Sequence, residues 1–271
     1  MFDAVLSDRE NKYVSGGFNP ENRMAHAPVS VQENKKNVFS NIRKSIVKQF
    51  HSTVVKNENI KINERNKMDG IDLLQGLYND VIAACFFDPQ YRGIMDKMNY
   101  GNEGKSRQVE RAQLQQMSEE TIISFIHEIN RVLVPSGHLF LWVDKFHLCE
   151  GTNHWFKDTK LKIVDLVTWD KGKIGMGYRT RRKSEYLLIL QKEPAKAKGV
   201  WTKHNIPDTW TEKIADRSHP HQKPVDLQKE LIESVSAKND YIIDPCAGSY
   251  SVLKACSLIE RNFIGCDLKA G

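Results

Sequence analysis

The chain has 271 residues, 40% of them hydrophobic, enough to bury one large α/β core with an appendage. Its formal charge is +6, with basic clusters at 34–37 (NKKN), 178–183 (YRTRRK) and 192–198 (KEPAKAK), a balance that suits a polyanionic partner without requiring one. No apolar run approaches the roughly 18 residues of a membrane span, and the N-terminus MFDAVLSDRENKY lacks the basic-then-apolar layout of a secretory signal, so the expectation is a soluble cytoplasmic protein with no membrane partner.

Residues 1–36 are polar and without periodicity, and read as an N-terminal arm. VFSNIRKSIVKQF at 38–50 has helical apolar spacing with a basic opposite face. The body then alternates: IKINE (60–64) reads as a short strand, GIDLLQGLY (70–78) as a helix and VIAACFFD (81–88) as a strand buried on both faces. A helix at 118–133 opens on Ser118 as its cap, and PSG turns the chain into the strand HLFLWV (138–143). KIVDLVTWD (162–170) and SEYLLILQK (184–192) predict an antiparallel hairpin at the sheet edge. The last part supplies a helix (PVDLQKELIESVS), the strand YIID, the turn PCAGSYS, a helix (SVLKACSLIE) and the strand FIGCD. Alternating strands and helices predict an α/β fold, an open and mostly parallel sheet with helices on both faces.

The five cysteines contain no C-x-x-C pair, and with His147 and His154 as the one histidine pair worth weighing, no metal site is expected. Three predicted strands end in an acid: Asp88, Asp244 and Asp267. Ligands of open parallel sheets bind outside such carboxyl ends. From Asp244 to Asp267 the chain reads strand, small-residue turn, helix, strand and acid, the acid about 20 residues after the glycine, the outline of a nucleoside site in which a carboxylate accepts from ribose hydroxyls. Neither G-x-G-x-x-G nor a P-loop is present, so a pyrophosphate cradle is not supported. S-adenosylmethionine is a nucleoside cofactor without one.

FFDPQY (86–91) is similar to the Asp-Pro-Pro-Tyr signature of amino methyltransferases, DPCAGSYS (244–251) to their Asp-Pro-Phe-x-Gly-Ser-Gly loop, and HPHQKPVDLQKELI (219–232) to their His-Pro-x-Gln-Lys-Pro segment. EINRVLVPSGHLFLW and RRKSEYLLILQK resemble the family's helix-turn-strand and its Arg-Arg-x-x-Glu strand. In this order the motifs resemble the circularly permuted β group of bacterial and phage DNA amino methyltransferases, over roughly residues 60–268.

The resemblance implies a Rossmann-like methyltransferase fold at 37–271, with target-recognition loops at about 92–117 and 146–182. It implies transfer of a methyl group from S-adenosylmethionine to N6 of a flipped-out adenine in double-stranded DNA, giving S-adenosylhomocysteine. Asp88, Pro89, Gln90 and Tyr91 would form the catalytic loop: the Asp88 carboxylate and Pro89 carbonyl accept the two amine hydrogens, and Tyr91 stacks on the base. The cofactor would meet His221, Gln222, Lys223, Pro224, Asp244, Pro245, Cys246, Ala247, Gly248, Ser249 and Asp267, with Lys223 facing the methionine carboxylate and Asp69 or Asp72 nearby. Arg179, Arg181, Arg182 and Lys183 would bind DNA phosphates. A homodimer and a cognate restriction endonuclease are further partners the resemblance leaves open.

Two departures mark this chain. Gln90 replaces the second proline of the catalytic loop, and Tyr250 stands where the second loop glycine is usual, a side chain expected to narrow the pocket. Alternatives therefore stay open: an N4-cytosine DNA methyltransferase, an RNA adenine methyltransferase, or a catalytically silent nucleic-acid-binding homologue.

Overall fold

The structure, a computed structural model, describes residues 54–90, 116–175, 179–214 and 222–269. The predicted arm at 1–36, the predicted helix at 38–50 and most of the loop at 92–117 lie outside the described residues.

Among the described residues one sheet of eight strands runs in the order β1 (Asn66–Lys67), β8 (Asn262–Asp267), β7 (Tyr241–Asp244), β2 (Ile82–Phe87), β3 (Leu133–Val143), β5 (Ser184–Lys192), β4 (Leu161–Asp170) and β6 (Thr209–Thr211). The first five in that order are mutually parallel, β5 runs antiparallel to both β3 and β4, and β6 pairs parallel with β4. The chain thus leaves β7 in one direction, toward β8, and β2 in the other, toward β3. That reversal opens a crevice at the carboxyl ends of β2 and β7.

β2 is buried along its whole length, and from Ala84 to Phe87 its side chains alternate between two cores with the period of a strand. Cys85 and Phe87 join Leu73, Leu74, Ile122, Phe125 and Ile129 from α1 (Gly70–Gln75) and α2 (Glu119–Val132). Ala84 and Phe86 join Leu227, Leu231, Val252 and Ala255 from α4 (Val225–Val235) and α5 (Ser251–Leu258). The Phe87 ring lies 5.1 Å from Phe125 and the Phe86 ring 4.7 Å from Phe140, so each face is keyed by an aromatic stack. Helix α2 starts as expected: the Ser118 hydroxyl accepts from Thr121 N, and Glu119 and Glu120 fill the first turn.

Three local expectations need correction. Residues 60–64 are not a strand, because Asn63 takes a left-handed conformation (φ 62°) and bonds Phe263 through both its backbone N–H and its side-chain oxygen. Pairing to β8 begins only at Asn66. The Pro-Ser-Gly turn lies inside β3 as an irregularity: Ser136 has φ 63° and the partner register jumps from Ile82↔Leu133 to Ala84↔His138. The hairpin is not the outermost element either, since β6 pairs with Thr168–Asp170 of β4. Within the region 146–182, the strand expected at 162–170 is present as β4, and a short helix α3 (Lys145–Glu150) and a single 3₁₀ turn (Asn153–Phe156) precede it.

Tyr250 does not narrow a pocket at the turn. It sits at the start of α5 with φ 56°, its ring 6.1 Å from Phe263 in the core, and its hydroxyl donates to Asn66 O at 3.0 Å. Arg65 covers the ring at 4.9 Å to the centroid. The side chain ties α5 to β1 and is 2% exposed, which offsets the cost of the left-handed backbone. Tyr250→Phe should lose about 1 kcal/mol of stability in urea titrations, the usual size of a buried hydrogen bond, and Tyr250→Ala about 3 kcal/mol.

Candidate active site

Strands β8, β7 and β2 lie side by side and parallel, so their terminal acids Asp267, Asp244 and the following Asp88 line one edge. Asp244 is buried, and burial together with Asp88 and Asp267 pushes its carboxyl up to about 8, against the stabilising effect of a Cys246 N–H at 3.1 Å and of Lys223. Asp69, two residues after β1, caps α1 by accepting from Ile71 N at 2.7 Å.

The turn after Asp244 is compact. Ala247 N donates to Cys266 O at 2.9 Å, Tyr250 N donates to Ala247 O at 2.7 Å, and Gly248 has φ 46°. Gly70 opens α1 directly against this turn: a Cβ there would collide with the Pro245 carbonyl oxygen and the Phe125 ring. Backbone from three elements therefore meets at a small-residue turn beside an acid that burial keeps from ionising. A ligand carrying positive charge beside a nucleoside fits that donor set, because a cation lowers the free energy of ionised Asp244 and Asp267 can accept from hydroxyls. Among the described residues no group of His, Cys, Asp and Glu could hold a metal ion; His147 and His154 instead pack on Trp155 at 5.1 and 5.8 Å.

Asp88 follows the apolar strand and is half-buried, Pro89 is buried and Gln90 is exposed. Met117 N donates to Gln90 O at 2.8 Å, closing the base of the 91–116 segment. Tyr91 and His221 lie outside the described residues. Lys223, immediately before α4, places its ammonium 3.0 Å from Asp88 Oδ2 and 2.8 Å from Glu185 Oε2, and 4.7 Å above the Trp142 ring. Lys171 Nζ holds the other Glu185 oxygen at 3.2 Å. Burial would lower the Lys223 pKa, but Asp88 and Glu185 outweigh it and raise it. Burial likewise works against ionised Glu185, and Lys223 and Lys171 overcome it, holding that carboxyl at about 2. Lys223 is thus paired with Asp88 and Glu185 in this structure, although the sequence pattern pointed it toward a cofactor carboxylate. Gln222 is half-buried beside it and Pro224 is buried.

β4 ends and β5 begins at this same edge, so the connection at 171–183 emerges beside Asp88. Arg179 and Arg181 are exposed on it and Arg182 is half-buried, while Lys183 pairs with Asp170 at 2.7 Å. The guanidinium groups are available to anions; the Lys183 ammonium already has a partner.

Residues 82–271 match the family model described as DNA methylase. The Type II methyltransferase M.HhaII of Haemophilus parahaemolyticus is 57% identical over 211 residues, covering 78% of this chain and 92% of that protein. The chain belongs to the DNA methylase family. The methylase is also similar to the Type II methyltransferase M2.MboI of Moraxella bovis, at 24% identity over 238 residues, 73% of this chain and 80% of that one. Among solved structures, the M1.HpyAVI–SAM complex aligns with TM-score 0.54 at 20% identity over 75% of this chain and 92% of that one. The PvuII DNA methyltransferase (cytosine-N4-specific) aligns with TM-score 0.59 at 14% identity over 76% and 82%. These two likenesses show a shared fold.

Glu185, Lys171 and Trp142 were not singled out from sequence as site residues. A signal for Glu185 existed: it is the glutamate of the Arg-Arg-x-x-Glu pattern at 181–185, near the head of β5, and in an antiparallel strand the head lies where its neighbours end.

The raised Asp244 carboxyl has a pH consequence. Folded methylase keeps that proton between about pH 4 and pH 8 while the unfolded chain has lost it, so the stabilisation from Asp244 is full below about 4 and is lost as pH rises toward 8. Asp244→Asn lacks this titration, so urea midpoints of wild type should fall relative to Asp244→Asn from pH 5 to 8.5. A difference constant with pH would contradict the assignment.

Proposed function

We propose that this DNA methylase transfers a methyl group from S-adenosylmethionine to N6 of adenine in duplex DNA. The observation that supports this most is the placement of Asp88, as a paired carboxylate at the sheet's switch point, beside the small-residue turn that follows Asp244. When bound, the cofactor supplies a methyl group on a sulfonium, an electrophile that a weak nitrogen nucleophile can attack.

The amine of adenine is a poor nucleophile because its lone pair is delocalised into the ring. Asp88 and the Pro89 carbonyl, each accepting one amine hydrogen, would hold the nitrogen in the geometry that localises that pair. As the amine takes up a methyl group, the positive charge on its nitrogen would develop next to the Asp88 carboxylate, and the surplus amine proton would pass by way of that carboxylate to water. The amine is unreachable inside the duplex, so the base must be turned out, and Tyr91 is the residue we assign to stack on it. Asp244, residues 245–249 and Asp267 are assigned to the cofactor, and Arg179, Arg181 and Arg182 to phosphates flanking the target. Aspartate at the first position of the catalytic loop favours adenine over cytosine. Likeness to Type II methyltransferases supports a role as the modification half of a restriction–modification pair with a cognate endonuclease.

Tritium transfer from labelled S-adenosylmethionine tests this reading, with mixed-sequence duplex DNA and RNA compared as acceptors. Label should enter duplex DNA, and Asp88→Ala should abolish transfer while leaving cofactor binding by calorimetry intact; label confined to RNA, or none with folded protein, would sink it. The double variant Arg179→Ala/Arg181→Ala should weaken duplex binding equally across sequences and reduce the slope of log affinity against log salt by about 2, one unit per lost phosphate contact.

A further inference from the structure

The Asp88 reading leaves a second carboxylate and two lysines unexplained. Lys223 reaches Asp88 from the segment before α4, and Glu185 reaches Lys223 from the first turn of β5. Both oxygens of Glu185 are taken, one by Lys223 and one by Lys171, so this carboxylate is fixed at two points. The ammonium also lies 4.7 Å over the Trp142 ring, which restricts it further. A lysine is otherwise a point charge on a flexible four-carbon stem, and one partner alone would not define where its ammonium sits. The middle of β5, Leu187 to Leu190, is apolar and buried, so its packing does not depend on a carboxylate at the strand's head.

We propose that Glu185 is a positioning residue for methyl transfer: it holds the Lys223 ammonium against Asp88, so that Asp88 meets the amine as an oriented carboxylate. This rests on the reading of Asp88 as the amine's acceptor. The groups facing Asp88 are Lys223 before α4, Glu185 on β5, and Asp244 and Cys246 at the end of β7. Lys223 is the cation held against the Asp88 carboxylate, at 3.0 Å. Loss of Lys223 removes the cation from Asp88, whereas loss of Glu185 leaves that cation in place and removes what fixes it, so the harm is to geometry alone.

The test is kcat and KM against pH, from 5.5 to 9, for full-length wild type, Glu185→Gln, Lys223→Met, Lys223→Arg and the double variant Glu185→Gln/Lys223→Met, with Asp88→Ala in parallel. Glu185→Gln should lower kcat about tenfold with both KM values little changed. Lys223→Met should lower kcat at least as far, and Lys223→Arg, which keeps the cation, should return part of it. Because Glu185 acts through Lys223, the double variant should be no slower than Lys223→Met alone. Wild-type kcat in Glu185→Gln, multiplied losses in the double variant, or a Lys223→Arg no faster than Lys223→Met would each overturn the proposal. If Lys223→Met does not fold by circular dichroism, Glu185→Gln and Lys223→Arg decide: the proposal falls if their kcat values are both wild-type. An inactive Asp88→Ala beside a wild-type Glu185→Gln removes only Glu185, whereas an active Asp88→Ala removes the catalytic reading and this proposal with it.

Discussion

Because β5 runs against β3 and β4, its first residues lie at the edge where β2 and β3 finish, and the head of an apolar strand becomes part of a polar site. The contact of Lys223 with Glu185 follows from that reversal. With β5 parallel, Glu185 would lie at the far end of the sheet, and Asp88 would have Lys223 without the second carboxylate that fixes it. The same edge carries the connection at 171–183, so the charged cluster and the loop that bears Arg179 and Arg181 share one origin in the register of a single strand pair.

The site has two electrostatic poles built from the same residue type. At the β5 pole Glu185 is held at about 2 by two lysines, and at the β7 pole Asp244 is held at about 8 by burial and by acids on either side. The difference is not depth alone but whether a cation was built in. Where the chain supplies one, the carboxylate is fixed and ionised. Where it supplies none strong enough, the acid waits for charge from outside, which is what a site for a cationic ligand requires. Lys223 stands between the poles, paired at one and weakly felt at the other.

Much of this was legible from sequence. β2, β5, β7 and β8 fall almost where period and composition put them, since strands buried on both faces are continuous apolar runs and end abruptly at Asp88, Asp244 and Asp267. The cap of α2 was visible in Ser118 and its glutamates. What escaped was decided by tertiary contacts. Asn63 looks like a strand residue until Phe263 is seen to occupy both its backbone and its side chain, and Thr209–Thr211 becomes a strand only because the edge of β4 is open to it. Tyr250 looked like an obstruction because the pattern has glycine there; a left-handed backbone turns its ring into the core, where Asn66 and Phe263 receive it. Lys223 was named as a site residue, but its partners could not be, because they depend on which end of β5 meets which end of β2.

The central claim is that Asp88 presents the N6 amine of adenine for methylation. Digestion of methylated duplex DNA to nucleosides and separation by liquid chromatography with mass spectrometry reads it most directly. The account predicts N6-methyldeoxyadenosine as the product, absent when Asp88 is alanine; N4-methyldeoxycytidine, or N6-methyldeoxyadenosine that persists without the Asp88 carboxylate, would contradict it.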